Sequence, residues 1–251
     1  MKQKILLLLF IAVSFVLAMR FTKPAVPVVQ PAGSFAVVEL FTSEGCSSCP
    51  PADEAMAAVI KQYPANVFVL GYHVDYWDQL GWKDAFSNAT YTDRQRGYAA
   101  ALNLNSIYTP QVIVNGQTEF VGSNEAMLNK SIRNELDHHA TNTITITAIS
   151  KDAATIAVNY NTSHPGKTTL NIALVQLHAV TVVKRGENQG KNLAHVNVVR
   201  DFKKTRDVSG SISLKLPAGL SPADCHVIAF LQDKPGTAIT AAAGTTIGLR
   251  E

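Results

Sequence analysis

Cys46 and Cys49 are separated by two residues in the run TSEGCSSCPP. Thiols at that spacing suit thiol–disulfide exchange, in which one thiolate attacks a partner disulfide and the other resolves the mixed disulfide. They make a poor structural staple, because a bridge across so short a loop constrains little of the unfolded chain. The apolar run FAVVELF before them reads as a buried strand, and a stripe of Met56, Val59, Ile60 and Tyr63 predicts a helix over 52–63 behind them. A thiol that opens a helix faces free backbone N–H groups and the positive end of the helix dipole, both of which favour the thiolate. Cys46 is therefore the candidate attacking thiol and Cys49 the resolving one. Pro50 and Pro51 set a condition, since proline is tolerated only in a helix's first turn. Either Cys46 starts the helix and Pro51 strains its second turn, or the helix starts at Pro50 and CSSC is a tight turn ahead of it. The second case weakens the dipole argument for Cys46. The third cysteine, Cys225, precedes the apolar run HVIAFL and is expected in a core or at its edge.

Other residues extend the candidate site. His73 and Asp75 follow the second strand, two residues apart and so on one face if the strand continues. There His73 could approach Cys46 and lower its pKa, contact substrate, or join the two cysteines in holding copper or zinc. The alternative is a hydrogen-bonded strand-end histidine. Trp77, with Tyr76, Trp82 and Phe86, either shapes a substrate surface or pins a long loop. The segment KRGENQGKNLAHVNVVR, 184–200, is a turn-rich loop with Gly186 and Gly190. It either folds back over the redox site or is a solvated hairpin that leads into His195 as a strand residue. HPGKTT at 164–169 lacks the first glycine of a phosphate loop, because Asn161 stands there, and is rejected as one.

The elements that must position these groups follow from periodicity. Strands are expected at 35–41, 67–72, 111–115 and 118–121, with Asn115–Gly116 as a hairpin turn. Helices are expected at 52–63, 91–104 and 123–139, the last capped by Ser123. The order β-α-β-α-β-β-α implies one mixed sheet covered by helices over 34–140. From 141 to 251 the runs ITITAIS, ATIAVNY, TLNIALVQL, HVNVVRDF, SISLKL and HVIAFLQ alternate without a helix, which suggests a β-sandwich.

The stretches VVELFTSEGCSSCPPADEA, VFVLGYHVDYWDQLGWKDAF, YTPQVIVNG and KRGENQGKNLAHVNVVRDF resemble a family of secreted bacterial proteins catalogued as domain of unknown function 1223 and regarded as thioredoxin-like. The resemblance runs from about residue 35 to the C-terminus. It implies a thioredoxin-like α/β domain followed by the all-β sandwich. It also implies a cis peptide at Thr109–Pro110 beside the cysteine pair, where the exposed backbone edge would pair with an extended peptide or mixed-disulfide partner. On the same basis Glu39 would lie buried under Cys49 and accept its proton, the alternative being a glutamate at a strand end in contact with solvent. The sequence departs from thioredoxin in a longer loop before Cys46, in Gly45 where an aromatic residue would stand, and in a long section between Tyr72 and Tyr108.

Composition bounds the partners. Of 251 residues 47% are hydrophobic, enough for a real core, and the formal charge of +3 offers nothing to a polyanion, so no nucleic-acid role is expected. Lys2 and Lys4 precede an apolar run from Ile5 to Ala18, which as a helix spans about 21 Å, short for a membrane span. With Val16 and Ala18 before Met19, residues 1–18 read as a signal peptide and 19–33, rich in proline, as a linker. The expectation is an exported thiol–disulfide oxidoreductase, periplasmic or secreted. It would act on a protein or small thiol through a mixed disulfide, without a cofactor and without a stable membrane span. Two alternatives stand beside it: a copper-binding protein using Cys46, Cys49 and His73, and a binding scaffold whose CSSC is a permanent disulfide.

Overall fold

The computed structural model describes residues 28–29, 33–163 and 168–248. The expected signal peptide, nearly all of the linker and most of the HPGKTT motif lie outside these residues.

Strand β1 (Val28–Val29) pairs with β6 (Ile144–Asp152). Strand β2 (Ala36–Thr42) is buried along its whole length, and period-2 alternation divides it between two cores. Val38 and Leu40 pack under helix α1 (Pro50–Gln62) with Ala52, Met56 and Val59. Val37 and Phe41 face the opposite way, toward Tyr91 and Tyr98 of helix α2 (Ala89–Ala101). Strand β3 (Val67–His73) lies parallel to β2. The hairpin of β4 (Gln111–Val114) and β5 (Thr118–Val121) turns on Asn115 and Gly116, both at positive φ, as the Asn-Gly signal requires. Helix α3 (Glu125–Leu136) is capped by the Asn124 side chain rather than by Ser123, because Asn124 Oδ1 accepts from the Met127 N–H.

The remaining strands are β7 (Thr155–Thr162), β8 (Leu170–Val182), β9 (Asn192–Thr205), β10 (Ser209–Lys215), β11 (Cys225–Leu231) and β12 (Ala241–Gly248). Their pairing overturns the expected pairing of a thioredoxin-like α/β domain with a β-sandwich. The strands join in one mixed path, β10-β7-β6-β12-β11-β8-β9-β3-β2-β4-β5, with three α-helices among the described residues. The physical reason lies in β8 and β11. A sandwich strand buries one face and wets the other, whereas Leu170–Gln176 of β8 and Val227–Leu231 of β11 are mostly apolar and buried on both faces. Ala173, Val175, Ile228 and Phe230 join the core of Tyr72 and Tyr98. The alternate residues Ile172, Leu174, Val227 and Ala229 fill a second core with Ile146 and Val158. Strand β9 then docks on β3 through the pair Gly71–Val198. A Cβ on Gly71 would lie 3.3 Å from the Val196 carbonyl oxygen, so the missing side chain is what lets the two halves of the path meet.

Candidate functional site

Cys46 and Cys49 form a disulfide in the turn between β2 and α1, and each is 1% exposed. The turn is closed by backbone bonds from Cys46 N–H to Ser43 O and from Cys49 N–H to Cys46 O. The helix begins at Pro50, with Cys49 as its N-cap and no side-chain cap bond. Of the two starts allowed by the sequence, the later one is adopted. It also removes the free N–H groups expected to face a thiolate. Pro50 and Pro51 have no N–H, and those of Ala52 and Asp53 both bond the Cys49 carbonyl.

Polar contact to Cys46 comes from elsewhere. Its Sγ lies 3.3 Å from Ser48 Oγ and 3.7 Å from the Thr109 carbonyl oxygen. The Thr109–Pro110 peptide is cis and sits beside the disulfide. Gly122 brings it there: a Cβ on Gly122 would stand within 3.2 Å of Ala52, Leu40 and Pro110 at once. Trp77 is half-buried, and its Cβ lies 3.3 Å from where a Gly45 Cβ would be, so the aromatic ring missing at Gly45 is supplied from the loop. The Tyr76 hydroxyl faces Gln95, Thr109 and Trp77, and burial pushes its pKa up to about 12.

Two expected neighbours of the cysteines stand apart from them. Glu39 shares the β2 face of Val37 and Phe41, opposite α1, because alternation allows nothing else. Its carboxylate accepts from Arg94 Nε at 2.5 Å, from Arg94 Nη2 at 2.8 Å and from the Tyr98 hydroxyl at 2.5 Å. Glu39 is thus enclosed by α2 and makes no contact with Cys49. His73 is 1% exposed and is bound through Nδ1 to Asp84 at 2.6 Å, and Asp75 accepts from the Thr92 hydroxyl. His73 is thus a buried, hydrogen-bonded strand-end histidine held by Asp84. Among the described residues no three His, Cys, Asp or Glu are placed to hold a metal ion.

A buried acid–base cluster flanks the cysteine turn instead. Glu44 precedes Cys46 by two residues, and Asp53 follows Cys49 by one helical turn. His195 on β9 joins them, with Nδ1 3.2 Å from Asp53 Oδ1 and Nε2 3.6 Å from Glu44 Oε1. Trp82 Nε1 donates to Glu44 Oε2 at 2.7 Å, and the Glu44 N–H donates to Asp84 at 2.9 Å. The His73 and His195 rings meet edge to face at 4.7 Å. Burial alone would push the His195 pKa down, but its hydrogen bond to Asp53 and the nearby Glu44 carboxylate outweigh this and raise it to about 9. Burial would likewise raise the Asp84 pKa, yet His73 and the N–H groups of Glu44 and Phe86 hold it below the usual carboxylate value. Asp53 and Glu44 were not singled out from sequence. Asp53 lies four residues after Cys49, which places both near one helix face, but its partner His195 is 142 residues away.

The 184–200 segment folds back over the disulfide. Asn188 is fully buried, and its Nδ2 donates to the carbonyl oxygens of Glu44 and Cys46, both at 2.9 Å. The Ser47 N–H donates to Glu187 Oε2 at 3.0 Å, and Lys191 Nζ donates to Asn188 Oδ1 at 3.0 Å. Gly186, at φ +78°, passes against the Trp82 Cβ. Asn188→Ala leaves two buried carbonyls without their donor and should cost about 1–3 kcal/mol. It should also speed reduction of the disulfide by dithiothreitol. An unchanged reduction rate, read by thiol alkylation over time, would show that this strap does not govern access. Cys225 takes no part: it is a free thiol in the second core, and burial pushes its pKa up to about 11.

No helix among the described residues is long and apolar enough to cross a membrane. The sequence model of a family described as "Protein of unknown function (DUF1223)" matches residues 37–232. The crystal structure of protein AGR_C_4864 from Agrobacterium tumefaciens is similar at 28% identity and a TM-score of 0.64, over 86% of this chain and 96% of that one. A domain of the outer membrane lipoprotein Omp28 from Porphyromonas gingivalis is matched at 14% identity and a TM-score of 0.27, over 45% of this chain and 92% of that domain. No curated protein sequence matches the chain.

Proposed function

The chain belongs to the DUF1223 family, and we propose that it is an exported thiol–disulfide oxidoreductase acting through Cys46 and Cys49 on a protein or small thiol. The observation that carries this reading is the disulfide itself. It closes at a strand-to-helix turn, with Ser48 Oγ and the Thr109 carbonyl oxygen beside Cys46 Sγ. A substrate thiolate attacks Cys46 Sγ, the Cys46–Cys49 bond breaks, and Cys49 leaves as a thiolate that takes up a proton. A second substrate thiolate then attacks the substrate sulfur of the mixed disulfide and releases Cys46. Two electrons pass from substrate to protein, and the reverse sequence reduces a substrate disulfide. Ser48 can donate a hydrogen bond to the Cys46 thiolate. Thr109 and Pro110 offer the edge against which substrate would lie, with Trp77 beside it. The basic, then apolar N-terminal pattern supports export into a compartment where such a pair oxidises readily.

A second reading has its own support. Both cysteines are 1% exposed under the Asn188 strap, as a permanent disulfide would be. A redox titration of the mature protein, followed by thiol alkylation, separates the two. Exchange calls for a reversible midpoint within roughly −120 to −270 mV, and a structural bond for one below about −300 mV. Cys46→Ser and Cys49→Ser should each abolish turnover of a disulfide-linked reporter. Turnover that survives both substitutions would sink the oxidoreductase reading.

A further inference from the structure

A cleft of about 440 Å³ opens on the opposite side of the β2 sheet from α1, where α2 meets the ends of β8, β9 and β11. Its size is that of sites for small metabolites. The floor is Arg94, Asn171 and Gln232, each at least nine-tenths buried. Arg94 is only partly used. Its Nε and Nη2 bond Glu39, Tyr98 and Gln232, while Nη1 donates no hydrogen bond among the described residues although Arg94 lines the cleft. The guanidinium is held in place by Tyr98, Phe202 and Phe230, whose ring centroids lie 5.1–5.4 Å away.

The walls add positive charge. Lys204 shares the β9 face of Phe202, two residues on, and its ammonium lies 5.6 Å from that ring. Arg206 and Lys234 complete the rim. None of these three cations makes an ion pair among the described residues. Four cationic side chains thus face the carboxylates of Asp233, on the rim, and Glu39, already engaged by Arg94. Burial and the charge of Arg94 hold the Lys204 pKa below the usual lysine value, and the Glu39 carboxylate only partly opposes this. A planar guanidinium with a free donor and an ammonium, both lining one cleft, match the oxygens of a phosphate or a dicarboxylate.

We propose that this cleft binds a small molecule bearing a compact divalent oxyanion, whose oxygens accept from Arg94 Nη1 and Lys204 Nζ. The site is independent of the cysteine pair and stands whether or not that pair exchanges disulfides. Its test is isothermal titration calorimetry of the mature protein at low ionic strength, with inorganic phosphate and succinate as separate probes and chloride as the control. Lys204→Gln keeps a polar side chain of similar length on the cleft wall, so the variant should fold, which circular dichroism checks. Saturable binding of either probe, at least tenfold weaker in Lys204→Gln, is the expected result. Binding of phosphate alone marks a phosphate ester, and binding of succinate alone marks a dicarboxylate. The absence of saturable heat from both probes overturns the proposal, as does binding that Lys204→Gln leaves unchanged.

Discussion

Replacing Arg94 with methionine should destabilise the protein by about 3–5 kcal/mol, the largest loss expected of any single substitution at the sites described. Glu39 is fully buried, and Arg94 supplies two of its hydrogen bonds. Removing the guanidinium leaves a carboxylate in the apolar core of Phe41, Tyr72 and Tyr98 with the Tyr98 hydroxyl as its remaining donor. It also takes away one donor to Gln232 Oε1 and leaves Tyr98 to tie α2 to the end of β11. The pair as a whole contributes much less, since taking both charges out of water offsets their attraction. The double variant Glu39→Leu/Arg94→Met should therefore regain most of the loss. Urea unfolding of the oxidised protein measures all three forms. A loss below about 1 kcal/mol in Arg94→Met would show that the Glu39 carboxylate is satisfied without Arg94.

Stability should fall between pH 6.5 and pH 9, and His195 should be the cause. Its pKa is raised from 6.5 to about 9 in the folded protein. A group raised in this way contributes stability that is fully present below its unfolded pKa and is lost as pH rises through the folded value. The rise corresponds to on the order of 3 kcal/mol. With the disulfide closed, Cys46 and Cys49 do not titrate, and Cys225, whose pKa burial pushes up from 9.0 to about 11, contributes only as pH nears 9 and equally in parent and His195 variant. His195→Gln removes the cation from between Asp53 and Glu44. The variant should be less stable than the parent at pH 6.5, and the gap should close as pH approaches 9. Asp84 acts at the other end. Its lowered pKa contributes stability above the usual carboxylate value that is lost as pH falls through the folded one. Unfolding free energies at pH 6, 7.5 and 9 decide the matter, and parallel curves for parent and variant would remove His195 as the source.

Local chemistry was legible in the sequence wherever a short run carried its own signal. Residues 46–49 announced a thiol pair through their spacing, and the flanking FAVVELF and Met56–Val59 patterns fixed a strand before it and a helix after it. The pair Asn115–Gly116 determined a hairpin, because both residues accept positive φ. Tandem prolines confined the helix start to two positions, and backbone hydrogen bonding in the folded turn chose between them. What the sequence could not determine was which distant groups would meet. Glu39 stands at the right separation from Cys49 to lie beneath it, yet alternation along β2 turns it toward Arg94 on the other face. Asp53, Glu44 and His195 come from three elements, and only the docking of β9 on β3 at Gly71 brings the histidine to the carboxylates. The same docking turns the 184–191 loop into a strap over the disulfide. The apolar stretches IALV and VIAFL carry the mark of burial on both faces, but the alternating runs around them, ITITAIS and ATIAVNY, read as one-sided strands of a sandwich. The chain by itself thus determined the cysteine turn and the type of most elements around it. The tertiary structure decided which side chains surround that turn, since burial and ion pairing depend on contacts across more than a hundred residues.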